Sequence, residues 1–401
     1  MEHAPWRLII ISAAASLVLL LLVYFIALPK KIDYGTEKIE KILEFRNADF
    51  AGHEAGKKVW EFKAGYGWSG KDKELTNLTD ITGGRFYKDG DLIVKRLSAP
   101  QIKAYRTSKI VEVYGTGKYR IIAQVAFTGK DRSGRRRFAA MKSNYLRYEP
   151  NLKKTFVSGN IILKERDTNL SGEEMEINHE TETADLRKDI KYRRPDVSLS
   201  CDTLNYQAKE EQFIAWGQVK SRIKGQKTTL LNADHILLFA DQNQVVEILG
   251  SVEAFQGKKT IVANAASYSK PQNQITFLGR VKTAIEKGEQ ILKEETAKKL
   301  KSKEARELLY SKTFLTSDAL TLSLRSGDAQ ARGNVLVSQK GRQAKADQAV
   351  YSDKTENITM TGNVYLAKEK QWIKCRKIYI SVNKETFEAV GSVEAEFKIR
   401  K

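Results

Sequence analysis

The stretches Ala329-Gln-Ala331-Arg-Gly333-Asn-Val335, Ile358-Thr-Met360-Thr-Gly362-Asn-Val364 and Phe387-Glu-Ala389-Val-Gly391-Ser-Val393 carry one pattern, with their glycines 29 residues apart. Apolar residues stand four before, two before and two after each glycine. That alternation is the signature of a strand with one buried face. The same frame fits Gly217 (Phe213, Ala215, Val219), Gly250 (Val246, Ile248, Val252) and Gly279 (Ile275, Phe277, Val281). Six copies at spacings of 33, 29, 54, 29 and 29 residues make this a repeat protein, at least in its C-terminal half.

Working outward, the frame also lies on Gly115 (Val111, Val113) and Gly159 (Thr155, Val157, Ile161), and a degenerate unit is centred on Lys188 between Leu186 and Ile190. Each unit has two more apolar slots upstream, such as Leu204 and Tyr206, Ala266 and Tyr268, or Ala349 and Tyr351. A unit therefore reads as two short strands, the first often opened by a polar residue (Asp202, Asp318, Asp347). The connecting turns, 270–274 and 353–357, hold the Pro, Asn and Asp that hairpin chemistry favours. The glycine marks a bend, or a close approach to the backbone by an acyl chain or by the opposite sheet. Further upstream, Trp60, Phe62 and Ala64 alternate with Val59, Glu61 and Lys63, and more strands are expected near 75–81, 84–88, 92–97 and 110–115.

Leu8 to Leu28 is a run of 21 residues without a charge. At ~1.5 Å per residue it covers a bilayer core of about 30 Å. A cleaved signal peptide is the competing reading, but the run is long for one and ends in Leu28-Pro29-Lys30-Lys31 without a small-x-small site. The segment 286–311 is rich in Glu, Lys, Ala and Leu and lacks Pro, so it is expected as a helical insertion, packed on the sheets or serving as a lid or docking helix. Lys130 to Arg137 (KDRSGRRR) reads as a hairpin tip, either merely solvated or touching anionic headgroups.

The 401 residues carry a formal net charge of +20, which favours an anionic partner without choosing among nucleic acid, headgroups and phosphorylated glycolipid. Cys201 and Cys375 are separated by six repeat units, on the order of 28 Å at ~4.7 Å per strand, too far for a disulfide. The four histidines are scattered, so no zinc spacing exists. There is no nucleophile elbow, phosphate loop or dinucleotide fingerprint, and the recurring carboxylates fit turn capping better than acid and base work. Neither an enzyme nor a cofactor is expected.

What the repeat supplies is a long apolar strip. It is either the closed core of a solenoid or, where the sheets splay, a groove for acyl chains. A membrane-anchored structural or adhesin-like solenoid with a closed core is thus the alternative to a lipid conduit.

The stretch Gly56-Lys-Lys-Val-Trp60-Glu-Phe62-Lys-Ala64, then Leu75-Thr-Asn-Leu78, then Leu97-Ser-Ala-Pro100 leading to Val111-Glu-Val-Tyr-Gly115 resembles the LptC family, the bitopic inner-membrane component of the lipopolysaccharide exporter. Ala346-Asp347-Gln-Ala-Val-Tyr351 followed by Met360-Thr-Gly362-Asn-Val364 resembles the OstA repeat of LptA-type periplasmic bridge proteins. The resemblance implies a mainly β fold: a cytoplasmic tail (1–7), a transmembrane helix (8–28), a linker (29–45), an LptC-like twisted β-jelly-roll (46–165), and OstA-type repeats (166–401) with one helical insertion at 286–311. It implies a single-pass inner-membrane protein with its bulk in the periplasm. Such a protein would receive lipopolysaccharide from an ABC transporter and pass it towards a bridge protein or outer-membrane acceptor at the C-terminal edge, without nucleic acid. Acyl chains would then lie against Trp60, Phe62, Val111, Val113, Val219, Ile248, Val252, Phe277, Val281, Met360 and Val364.

Overall fold

The computed structural model describes residues 41–71, 73–126, 137–225, 227–239, 246–286, 302–303, 307, 311–381 and 384–397. The membrane segment at 8–28 lies outside them, as do residues 130–136 of the basic tip and nearly all of the insertion expected at 286–311. Among the described residues no helix is long and apolar enough to cross a membrane.

Alternating apolar residues and frequent turn signals produce one antiparallel sheet of 24 strands among the described residues. From Lys154 to Ser381 the chain is a meander in which each strand pairs with the next. The two short strands expected per segment merge into longer ones: Leu75–Lys88 is one strand, and so is Asp91–Tyr105. Near Gly115 and Asn144 the strands are instead split, so Asp91–Tyr105 pairs with both Val111–Tyr114 and Ile121–Val125.

Each repeat strand turns a corner at its middle, and the sequence dictates how. In Gln212–Ile223, Phe213 and Ala215 are buried before the corner and Val219 and Ile223 after it. Between them Gly217 and Gln218 have φ of 77° and 46°, and the ladder slips between Trp216 and Val219. A Cβ on Gly217 would lie 2.6 Å from Asp202 Oδ2 of the preceding strand. Only glycine suits both the left-handed backbone and this contact. The arrangement recurs at Gly250 with Asp234, Gly333 with Asp318 and Gly362 with Asp347. Asn334 and Asn363, each following its glycine, donate side-chain hydrogen bonds to Asp318 and Asp347 at 2.9 and 3.0 Å. What approaches these four glycines is therefore an exposed carboxylate on the outer face, and at Gly279 the Asn264 side chain, neither an acyl chain nor the opposite sheet. These aspartates sit at mid-strand corners, not at strand starts. The degenerate unit keeps the same corner, with Lys188 and Asp189 at φ of 65° and 51°.

Because every strand bends, the sheet folds lengthwise into two half-sheets whose inner faces cover one another. One apolar core runs from Phe62 to Val335, and a separate smaller one holds Ala346, Met360, Val364, Cys375 and Ile378. Cys201 and Cys375 are both buried and unbridged.

Candidate functional site

The corner forms the spine of the fold, and opposite it the half-sheets end in two rows of turns, or lips. The first lip holds the turns that follow the glycine strands. The second holds the turns that precede them. Whether the interior is a closed core or a groove depends on what joins the lips.

From the N-terminal side to the middle, the lips are clasped. The Tyr148 hydroxyl donates to the Tyr87 carbonyl at 3.0 Å, and Lys88 donates to the carbonyl of His179. Arg194 of the first lip donates to the Phe239 carbonyl of the second at 3.1 Å. Asp196 meets Lys270 at 3.6 Å and accepts from the Tyr268 hydroxyl at 3.5 Å. Leu324, 2% exposed, packs against Gly225 across the mouth. Lys259 follows on the first lip; burial and then Lys227 lower its pKa, while Asp353 of the second lip acts in the opposite sense. Behind these contacts the interior is buried from near the lip to the corner, with Val246 partly buried at the mouth. Burial, and after it the Asp196 charge, push the Tyr268 hydroxyl up to about 12. Burial likewise raises the Cys201 thiol to about 12.

Towards the C-terminus the same interior positions are uncovered. Ala331, Val335, Ala346, Met360, Val364 and Ile378, nearest the corner, stay buried. Residues further from it, including Val337, Ala344, Ile358, Leu366 and Ile380, are half-exposed although they face inward. Four successive strands share this, from Ala329 to Ser381, so it is more than fraying of a last strand. Around this mouth Lys340 pairs with Glu307 at 2.6 Å, and the Ser302 amide donates to Glu385 at 3.1 Å.

The sequence-derived interior residues fall on both sides of this divide. Val111, Val113, Val219, Ile248, Val252, Phe277 and Val281 lie at 0–1% exposure inside the closed part. Met360 and Val364 line the floor of the uncovered part. Phe62 is buried, with the half-buried Trp60 stacked on it at 4.7 Å between ring centroids. The clasp residues Arg194, Asp196, Tyr268 and Lys270 escape sequence reading, since they meet across 45 to 74 positions and only Tyr268 falls in a repeat slot.

The site offers apolar surface and few reactive groups. No cluster of His, Cys, Asp or Glu suited to a metal occurs among the described residues. On the outside, Glu61 gathers Lys58 at 2.6 Å, Tyr87 at 2.6 Å and Arg85 at 3.0 Å, which hold its carboxyl at about 2. Glu112 accepts from Tyr105, Tyr114 and Tyr145 at 2.7–3.0 Å. Both carboxylates are saturated by partners and serve as outer-face cross-links.

Residues 230–386 match the family model described as LptA/(LptD N-terminal domain) LPS transport protein. The match takes in both the closed middle and the uncovered end. No curated protein matches the chain. Among solved structures, the chain is similar to LptH, the LptA homologous periplasmic component of the lipopolysaccharide transport device from Pseudomonas aeruginosa. That likeness is 17% in identity, covers 25% of this chain and 75% of the other, and has a TM-score of 0.23. A score of that size carries no argument about this chain.

Proposed function

We propose that the chain is a non-enzymatic conduit in lipopolysaccharide transport, holding acyl chains along its apolar interior. The observation that carries this reading is the inward apolar strip left half-exposed over Ala329–Ser381, within the span of the family match. Shielding there needs no specific bond. Each buried CH₂ contributes roughly 0.8 kcal/mol, and Val337, Ile358, Leu366 and Ile380 offer similar surfaces in succession. Equal affinity along the strip leaves direction to an external push, which an ABC transporter coupled to the N-terminal side would supply.

In this reading residues 8–28 anchor the chain in the inner membrane and the sheet stands in the periplasm. The C-terminal edge meets a bridge protein or an outer-membrane acceptor by strand addition. Supporting that edge, Phe387, Val390, Val393 and Phe397 are all exposed. The LptC-like assignment of residues 46–165 belongs to the same proposal. The clasped mouth from Tyr87 to Asp353 favours a second reading for that part, a structural solenoid with a closed core.

Mass spectrometry of lipids that co-purify with the full chain in mild detergent tests the proposal. Lipopolysaccharide retained by the wild-type chain and reduced by Leu366→Asp is the expected result. Retention of none, or retention unchanged by that substitution, would overturn it.

A further inference from the structure

The net charge of +20 is unevenly placed, and the strand register shows where it goes. On the outer face of the half-sheet that ends in the first lip, one row of neighbours runs Ile122, Lys142, Ile162, Ser171, Lys191, Ser200, Lys220. The adjacent row runs Ala140, Lys164, Asn169, Arg193, Ser198, Arg222. Six cations therefore stand in these two rows with small polar and apolar residues and no carboxylate; Asp189 and Asp202 lie beside them at the corner, and Glu253 comes two strands beyond Lys220. All six are exposed, and none forms an ion pair among the described residues. The other half of the same strands is different: its outer face carries Glu174, Glu176 and Asp185, with Lys154 and Lys188 paired to Glu176 and Glu174 at 2.5 Å each.

We infer that the basic face is a docking surface for an anionic phospholipid bilayer. Lys191 and Lys220 stand two strands apart, as do Arg193 and Arg222, about 10 Å at ~4.8 Å per strand. That spacing is close to the Debye length of roughly 8 Å at physiological ionic strength, so the charges reinforce one another. Two observations select a bilayer among polyanions. Ile122 and Ile162, 50% and 42% exposed, stand in the same row as the cations, which suits the boundary between headgroups and acyl chains. Over the strands that carry the six cations the two rows also hold no aromatic ring, which single-stranded nucleic acid would need for stacking; Phe255 enters only two strands beyond Arg222. The inference rests on the membrane anchor proposed above. Residues 29–40, between that anchor and the strand Lys41–Glu54, span at most about 40 Å at ~3.5 Å per residue, a tether that keeps the sheet near the membrane.

The test uses the full chain in lipid nanodiscs, fluorophore-labelled either at Ser198→Cys on the basic face or at Ser267→Cys on the other outer face. The native thiols are buried. The quencher is carried on lipid headgroups. Co-migration of the chain with zwitterionic discs reports the anchor separately. In discs containing phosphatidylglycerol, quenching at position 198 should exceed that at position 267 severalfold. The excess should vanish in zwitterionic discs, in 1 M salt, and in the variant K191E/R193E/K220E/R222E. Equal quenching at the two positions, or quenching at 198 that survives charge reversal, would overturn the inference even with the anchor inserted.

Discussion

The units around Phe277 and those around Met360 are built on the same repeat, each with a left-handed glycine beneath a polar side chain of the preceding strand, Asn264 over Gly279 and Asp347 over Gly362, yet one interior is sealed and the other uncovered. The corner is local, set within some 15 residues by Gly217 with Asp202 or Gly362 with Asp347. Closure is not local: it depends on pairs such as Asp196 with Lys270 or Gly225 with Leu324, which meet only once several units have stacked. A repeat thus specifies the bend, and the lips specify the cavity.

Substitution along the strip exposes the difference most strongly. Phe277→Ala, in the sealed part, should cost about 3–5 kcal/mol of unfolding free energy, whereas Ile380→Ala, at the uncovered end, should cost about 1 kcal/mol. Urea midpoints of the two variants check this, and equal losses would break the distinction between the regions.

The corner should behave alike in both. Gly250→Val and Gly362→Val each force a β-branched residue into a backbone at φ of 72° or 76° and against an aspartate. A loss of about 3 kcal/mol is expected for each, from the left-handed strain and the overlap together. These variants should therefore lose folding before any lipid-handling defect can be separated from it. A much smaller loss at Gly362 than at Gly250 would mean that the corner, too, relaxes at the open end.

Alkaline stability comes next. Burial raises the Cys201 thiol to about 12, and Tyr192 and Tyr268 likewise to about 12, above their unfolded values near 8.5 and 10. The unfolded chain therefore releases these protons first, and the stability they confer is full below about pH 8.5 and declines as pH climbs towards 12. Cys201→Ala should flatten the first part of that decline, as measured by urea midpoints between pH 8 and 11.

The smallest effect is at the clasp. Asp196→Ala removes one ion pair and one hydroxyl acceptor at a partly exposed lip, and should lower stability by about 0.5–1 kcal/mol. Hydrogen exchange should quicken in the strands beneath it, at Tyr268 and Tyr192, while remaining unchanged around Met360.

The repeat, its glycine spacing and the inward set were legible because a period of two and a fixed spacing survive in the one-dimensional chain. Even the degenerate unit at Lys188 was visible from its flanking Leu186 and Ile190. The meaning of the glycine was not. Its neighbour Asp202 lies on the outer face of the adjacent strand, and an exposed aspartate looks the same in sequence whether it caps a turn or covers a bend. The separation of sealed from uncovered interior was also hidden. Ile275 and Ile358 each stand four before a repeat glycine, and their exposure is decided by lip contacts made elsewhere in the chain.

The central claim is that acyl chains enter the interior where the half-sheets splay. A photo-crosslinking residue placed in turn at Ile380, which faces inward, and at its neighbour Tyr379, which faces out and is 41% exposed, tests it in cells exporting lipopolysaccharide. Capture of lipopolysaccharide at position 380 and not at 379 is the expected result. Capture at 379 alone, or at neither, would contradict the claim.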